Sequence, residues 1–242
     1  MRAILVRVGI DQAYGRWNAP VDPKTGQFVF VPIPDGAAKV YLSGHARGYD
    51  EVARPLADFA VAHRMPDLQL PESLRNCKMH LDPDFEYMTY GDNGSVRGAG
   101  IATLGAGDML VFYAGLRSIA PPRALVYALV GLFVIEEVVR AVDVPIDRRY
   151  DNAHTRWIPI SEKDVIVRGV PGASGRFEQC IPIGEWREKA YRVRRDVEEA
   201  WGGLNVKNGF IQRSVVPPEF KDPARFDAWF QQQSATFMQR NN

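Results

Sequence analysis

The chain has 242 residues, and its 30 Lys and Arg stand against 29 Asp and Glu for a formal net charge of +1. That balance excludes a generally polycationic or polyanionic chain, and 46% hydrophobic with 24% charged residues describes a globular protein with a full core, not a disordered one. Two cysteines, Cys77 and Cys180, are too few for a disulfide framework and fit a reducing compartment.

The opening MRAILVRVGID has a short apolar stretch broken by Arg7 and no small-residue cleavage site, which predicts a buried first strand over 3–8 in place of a signal peptide. Loop and turn chemistry follows, and then a second strand over 28–33 that is apolar on both faces. Over 49–63 the residues Val52, Leu56, Phe59 and Ala60 keep helical spacing, with Pro55 as a defect. Residues 64–108 are rich in Pro, Gly, Asp and Asn and predict loops with short elements, a length that usually serves a function.

GDMLVFYAGL reads as a strand after a Gly-Asp turn. ALVYALVGLFVIEEVV is long enough for a helix, yet its β-branched residues favour a strand, with Gly131 at a bulge or bend. The apolar run 124–135 is shorter than the roughly 20 residues a bilayer crossing needs, so no membrane association and a cytoplasmic location are expected. Strands are expected at 164–168 and 177–183 around the turn VPGASG. The clearest helix spans 185–201, with Ala190, Val193, Val197 and Ala200 on one stripe and Gly202-Gly203 ending it. A short aromatic helix through Phe226, Trp229 and Phe230 closes the chain. No repeat or linker divides it, so 1–242 reads as a single α+β domain with a curved mixed sheet or small barrel and flanking helices.

Several motifs carry little. RGAGIATLGAGD precedes a strand where a dinucleotide fingerprint needs a helix, and P-loop and G-x-S-x-G patterns are missing. A zinc site built from Cys77-x-x-His80 with Cys180 or His154 has only one close ligand pair where structural zinc brings two, so neither metal nor another cofactor is expected. The polar clusters carry more. Arg7 and Asp11 flank the end of the first strand, beside Tyr14, Trp17 and Asn18, which offer a π face and an amide suited to holding a nucleobase. Trp17 plugging the core and Asn18 making a turn is the plainer alternative. In HLDPDFEYMTYGD, Asp82 and Asp84 look like turn formers and Asp92 like a carboxylate at a loop end. DNAHTRW places Asn152, His154 and Arg156 in a polar loop, and WGGLNVKNGFIQRS brings Lys207, Gln212 and Arg213 near a possible phosphate.

Taken together, RVGID with GRWNAP, HLDPDF with TYGD, GDMLVFYAGL, DNAH, and WGGLNVKNGFIQRS followed by PPEF resemble the third type of nucleotide-modification-associated domain. That family is linked largely by gene neighbourhood to DNA base modification in phages and bacteria. The middle strands are also similar to the sheet of PUA-like domains, the class of ASCH and EVE modules, with a core at roughly 105–215. The resemblance implies a pocket ringed by Arg7, Asp11, Trp17, Asn18, Asp92, Asn152 and His154. It also implies DNA or a nucleotide with a modified base as partner, with other DNA-modification proteins as further partners.

Two versions of that function are open. In a reader, Trp17 stacks on the base, Asn18 and Asn152 bond its edge, and Arg156 or Arg213 holds phosphate. In an enzyme acting by excision or base modification, Asp92 or Asp11 is the general base and His154 the general acid or a phosphate ligand. A third expectation is an interaction subunit that docks through the aromatic C-terminal helix. The charge distribution allows a local basic rim: residues 1–139 hold 13 basic and 15 acidic side chains, and 140–242 hold 17 and 14.

Overall fold

Segments that are apolar on both faces can be buried only where both faces of a sheet are covered. The computed structural model, which describes all residues except 13–16, 96–97 and 213–215, is built in that way. Its elements in chain order are β1 (Ala3–Arg7), β2 (Pro20–Val21), β3 (Ile33–Pro34), β4 (Val40–Tyr41), α1 (Asp50–Ala62), α2 (Glu72–Arg75), β5 (Met79–His80), β6 (Thr89–Asn93), β7 (Met109–Ser118) and β8 (Leu125–Arg140). They continue with α3 (Ala153–Arg156), β9 (Trp157–Ile158), β10 (Asp164–Gly169), β11 (Gly175–Pro182), β12 (Gly184–Arg187), β13 (Ala190–Val193), α4 (Arg195–Ala200), α5 (Pro223–Gln231) and β14 (Phe237–Met238).

The main sheet runs β1-β7-β8-β10-β6, with β2 on β7, β11 on β8 and β14 on β11. β1 and β2 are parallel to β7, whereas β8 is antiparallel to β7, β10 and β11. The fold is therefore mixed α+β around a large mixed sheet. The barrel alternative is corrected: among the described residues β1 and β6 end the hydrogen-bonded path and do not pair. Alternation along β1 sends Ile4 and Val6 into a core with Phe85, Phe112 and the buried side of α1, and Ala3 and Leu5 into a second core with Phe177, Trp201 and Phe226.

β8 bends where Gly131 meets its neighbours. The β7–β8 register shifts between Phe112, opposite Gly131, and Tyr113, opposite Leu129, which leaves Val130 as the extra residue of a bulge. A Cβ at Gly131 would lie 2.5 Å from Phe85 Cε1 and 2.8 Å from the Gly175 carbonyl oxygen. Gly131→Ala is expected to cost about 1–3 kcal/mol through this overpacking, read as a lower urea midpoint. An unchanged midpoint would show that Phe85 and β11 give way.

Helix α1 buries Val52, Leu56, Phe59 and Ala60 and keeps Pro55 inside it, as its spacing predicts. Two expectations need correction. Phe28 to Val31 are buried, but only Ile33–Pro34 form a strand. Their backbone is met piecemeal, by Pro20 O for Val29 N–H and by Asn242 Oδ1 for Phe30 N–H. The helix expected over 185–201 is instead a β12–β13 hairpin followed by the short α4. Glu188 and Lys189 take φ of 52° and 61° at its two-residue turn, the conformation that matches strand twist. Tyr191 stacks on Tyr127 at 4.4 Å and meets Trp186 edge-on at 5.1 Å, contacts that outweigh a fortuitous three-residue spacing. Gly202 and Gly203 do end α4, at φ of 75° and 93°. Phe226 and Phe230 of α5 are buried against Trp201 and Phe177 and Trp229 packs half-buried beside them, so most of this stripe is core, which weakens the docking expectation.

Candidate functional site

Three distant sequence motifs meet beside β6. Thr89 and Gly91 lie on this strand, and Thr89 Oγ1 donates to Asp151 O at 2.6 Å while accepting from Asn152 Nδ2 at 3.2 Å. A Cβ on Gly91 would fall 2.5 Å from His154 Cδ2 and 2.7 Å from Asn152 Oδ1, so a glycine here lets the DNAH segment lie against the strand. Asn152 is no loop residue: its Oδ1 accepts from His154 N at 2.8 Å and caps α3. The polar loop expected for DNAHTRW is therefore a capped helical turn. Asp92 stands in β6, not at a loop end, and its Oδ2 accepts from Tyr90 Oη at 2.8 Å.

Asp82 lies at the centre, and its expected turn-forming role is corrected. Its carboxylate accepts from Gly91 N, 3.0 Å from both oxygens, and from Asn152 Nδ2 at 3.2 Å. His154 Nε2 is 3.5 Å and His80 Nε2 3.8 Å from its Oδ2. The far nitrogen of each ring is held by another carboxylate: His154 Nδ1 donates to Asp164 at 2.6 Å and His80 Nδ1 to Asp35 at 2.9 Å. Trp157 stacks on His80, and Lys39 Nζ sits 3.1 Å from the centre of the Trp157 ring. His80, Asp82 and His154 each offer a ligand atom within 4.8 Å of the others. Cys77 and Cys180 take no part: the Cys77 thiol donates to Ser73 O, and burial pushes the Cys180 thiol up to about 12.

Charge in this cluster is held under strain. Burial pushes the Asp82 carboxyl up to about 6, against the opposing pull of His154, His80, Gly91 N–H and Asn152. Burial alone would lower His154, but the Asp164 hydrogen bond and the charges of Asp82, Asp164 and Asp92 outweigh it and raise the imidazole. Asp164 is itself held low, because its bond to His154 and that ring's charge overcome burial. A base with a raised affinity for its proton beside a buried carboxyl is a fitting acid–base pair.

Arg156 belongs to this neighbourhood but not to its open side. It is 1% exposed, donates to Asp84 Oδ2 at 2.6 Å and to Tyr150 O at 2.7 Å, and so faces a carboxylate where phosphate contact was expected. Asp84, 0% exposed, keeps part of its turn role by accepting from Glu86 N and Tyr87 N.

The remaining expected residues gather at the other end of the sheet. Arg7 ends β1, pairs with Asp11 at 2.8 Å, donates to Gln212 O and to Tyr127 Oη at 3.3 Å. Gln212 Oε1 accepts from Tyr191 N at 2.9 Å. Asn18 Nδ2 donates to Gly115 O at 2.7 Å, while its Oδ1 is buried with no hydrogen-bond partner among the described residues. Trp17 is half-buried against the first core. Trp17 and Asn18 also line a cavity of about 670 Å³ with Arg64, Arg117 and Arg123 on its walls. Tyr14 and Arg213 lie outside the described residues. The two groups are well separated: Arg117 pairs with Leu125 at the start of β8, and Arg140 at its end pairs with Val165, next to Asp164.

The sequence placed His80 with His154 only in a cysteine-based zinc alternative, and gave no sign of Asp82 between the two rings, of Asp35 and Asp164 behind them, or of the arginine-lined cavity. The H-x-D spacing was visible, but its partner lies more than seventy positions away.

The fold and these clusters define a mixed α+β protein with a buried histidine–carboxylate centre and a separate aromatic, arginine-walled cavity. The family model for nucleotide modification associated domain 3 matches residues 2–201, and the chain belongs to that family. No curated protein and no solved structure matches the chain. The chain is thus tied to nucleotide modification, and no helix among the described residues is long and apolar enough to cross a membrane.

Proposed function

We propose that this protein recognises a modified nucleobase, in DNA or as a nucleotide, in the cavity beside Trp17 and Asn18. The observation that carries the reading is the wall chemistry. A half-buried indole offers a stacking face, and Asn18 lies on the same wall. Arg64, Arg117 and Arg123 supply cations for phosphate. A volume of about 670 Å³ lies within the common range for small-molecule sites and is ample for a nucleotide. Family membership supplies the association with nucleotide modification.

The enzyme version is favoured by one specific feature, the acid–base pairing around His154 and Asp82, with Asp92 close enough for its charge to raise His154. In that version His154 moves a proton and Asp92 serves as base. Asp11, engaged by Arg7, is the weaker candidate for that role.

The test is binding and base release followed together, on single- and double-stranded DNA and on nucleotides with ordinary and hypermodified bases. Trp17→Ala is expected to weaken base binding by about 1–3 kcal/mol, roughly 5- to 150-fold, as lost stacking does. Undiminished binding in that variant overturns the cavity as the base site. Base release lost in Asp92→Asn supports excision, and unchanged release removes Asp92 as the base.

A further inference from the structure

The centre around Asp82 contains more electron pairs than protons can satisfy. Because Asp164 and Asp35 take the Nδ1 hydrogens of His154 and His80, each ring turns its Nε2 lone pair inward. Both lone pairs face the same atom, Asp82 Oδ2, at 3.5 and 3.8 Å. That oxygen is aimed by Gly91 N–H and Asn152 Nδ2, which hold the carboxylate from its other side. One added proton bridges one ring to the carboxylate and leaves the second ring confronting it. A divalent ion at the centre meets all three donors at once.

We propose that His80, Asp82 and His154 bind one divalent transition-metal ion of the zinc type, with the remaining coordination position open to water or to a ligand anion. Three features support the assignment. Imidazole nitrogens with one carboxylate suit zinc-like ions and not magnesium or calcium, which take oxygen ligands. Carboxylates behind both imidazoles are the usual device for fixing the tautomer and plane of metal-bound histidines. Bonds of about 2.0–2.1 Å place tetrahedral ligands roughly 3.4 Å apart and octahedral neighbours roughly 2.9 Å apart, so the 3.5 and 3.8 Å separations lie nearer the tetrahedral case. The His80 and His154 side chains remain 15% and 14% exposed, which leaves a way in. A bound ion with an open position can polarise water or a phosphoryl or carbonyl oxygen. The site uses none of the residues of the Trp17 cavity, so it stands independently of the base-binding reading, and it replaces the enzyme version in which His154 moves a proton.

The experiment is titration of the chelator-stripped full chain with Zn(II) against a chromophoric competitor, repeated with Co(II) for its visible spectrum. One equivalent is expected to bind, with the intense absorption of tetrahedral Co(II), and excess Mg(II) does not displace it. His80→Ala and His154→Ala are each expected to weaken binding more than 100-fold, and Asp35→Asn and Asp164→Asn by about 10- to 100-fold. Cys77→Ser leaves it unchanged. Absence of saturable binding, or affinity untouched in the histidine variants, overturns the proposal; weak octahedral bands at one equivalent overturn the zinc-type geometry. Where a histidine variant fails to fold by circular dichroism, Asp35→Asn decides, and unchanged affinity there is negative. Trp17→Ala keeps its metal, so undiminished base binding in that variant with the ion retained defeats only the cavity reading, and an original chain that binds base but no ion defeats only this one.

Discussion

Arg156→Met is expected to destabilise the protein by about 3–5 kcal/mol, the cost of breaking a buried ion pair from one side. The guanidinium is 1% exposed and Asp84 0% exposed, so removing the cation strands a carboxylate that water cannot reach. Arg47, at 3.9 Å, is too distant to replace the 2.6 Å bond. The hydrogen bond to Tyr150 O is lost as well. Adding Asp84→Asn to Arg156→Met is expected to recover part of the loss, because a neutral amide needs no countercharge. Urea denaturation of both single variants and the double variant measures this coupling. A cost below about 1 kcal/mol for Arg156→Met would mean that the donors from Glu86, Tyr87 and Asn241 already satisfy Asp84.

The second large effect is a pH dependence centred on Asp82. With a chelator present, its carboxyl titrates at about 6 in the folded protein against an ordinary value of 3.8. The folded state therefore holds this proton more tightly than the unfolded state. Stability falls as pH rises from about 4 through 6, and the full cost, about 3 kcal/mol at 1.36 kcal/mol per tenfold, applies above that range. His154 works in the same direction at higher pH. Its raised affinity stabilises the fold below 6.5, and that contribution is lost as pH climbs through its folded value. Asp164, held low, acts oppositely and is lost only on acidification below 3.8.

Asp82→Asn keeps the shape and an acceptor for Gly91 N–H while removing the ionisation. Relative to the original protein it is expected to be near neutral at pH 4 and more stable above pH 6, by up to about 3 kcal/mol. Parallel melting curves for the two proteins across pH 4–8 would refute this account. The same substitution removes a carboxylate from the proposed ion site, so zinc should stabilise the original protein and not the variant.

Much of the fold is written in local pattern. The β-branched run with Gly131, the strand over 164–168 and the α1 stripe each carry a period that a single element can satisfy, and the tertiary structure has only to accept it. Where a spacing suits two elements, local pattern does not decide. Ala190 and Val193 fit a helix stripe, and the hairpin prevails because Tyr127 of β8 offers Tyr191 a stacking partner. Turn-forming chemistry misleads in a related way: Asp82 and Asp84 flank Pro83 as turn residues do, yet they are buried, because DNAH folds over one and Arg156 reaches the other.

What the amino-acid sequence determined by itself is the near-neutral α+β globule, most of its central strands and the motifs that carry the family. Those properties depend on neighbours within a few positions, on total composition or on residue identity. The tertiary structure alone decided that His80 and Asp82 meet His154, that Asp35 and Asp164 stand behind the two rings, and that Trp17 shares a cavity with three arginines. The physical reason is that a polar side chain's charge state and partners are set by what covers it. In this chain the covering segments come from remote parts of the sequence and are brought in by sheet register.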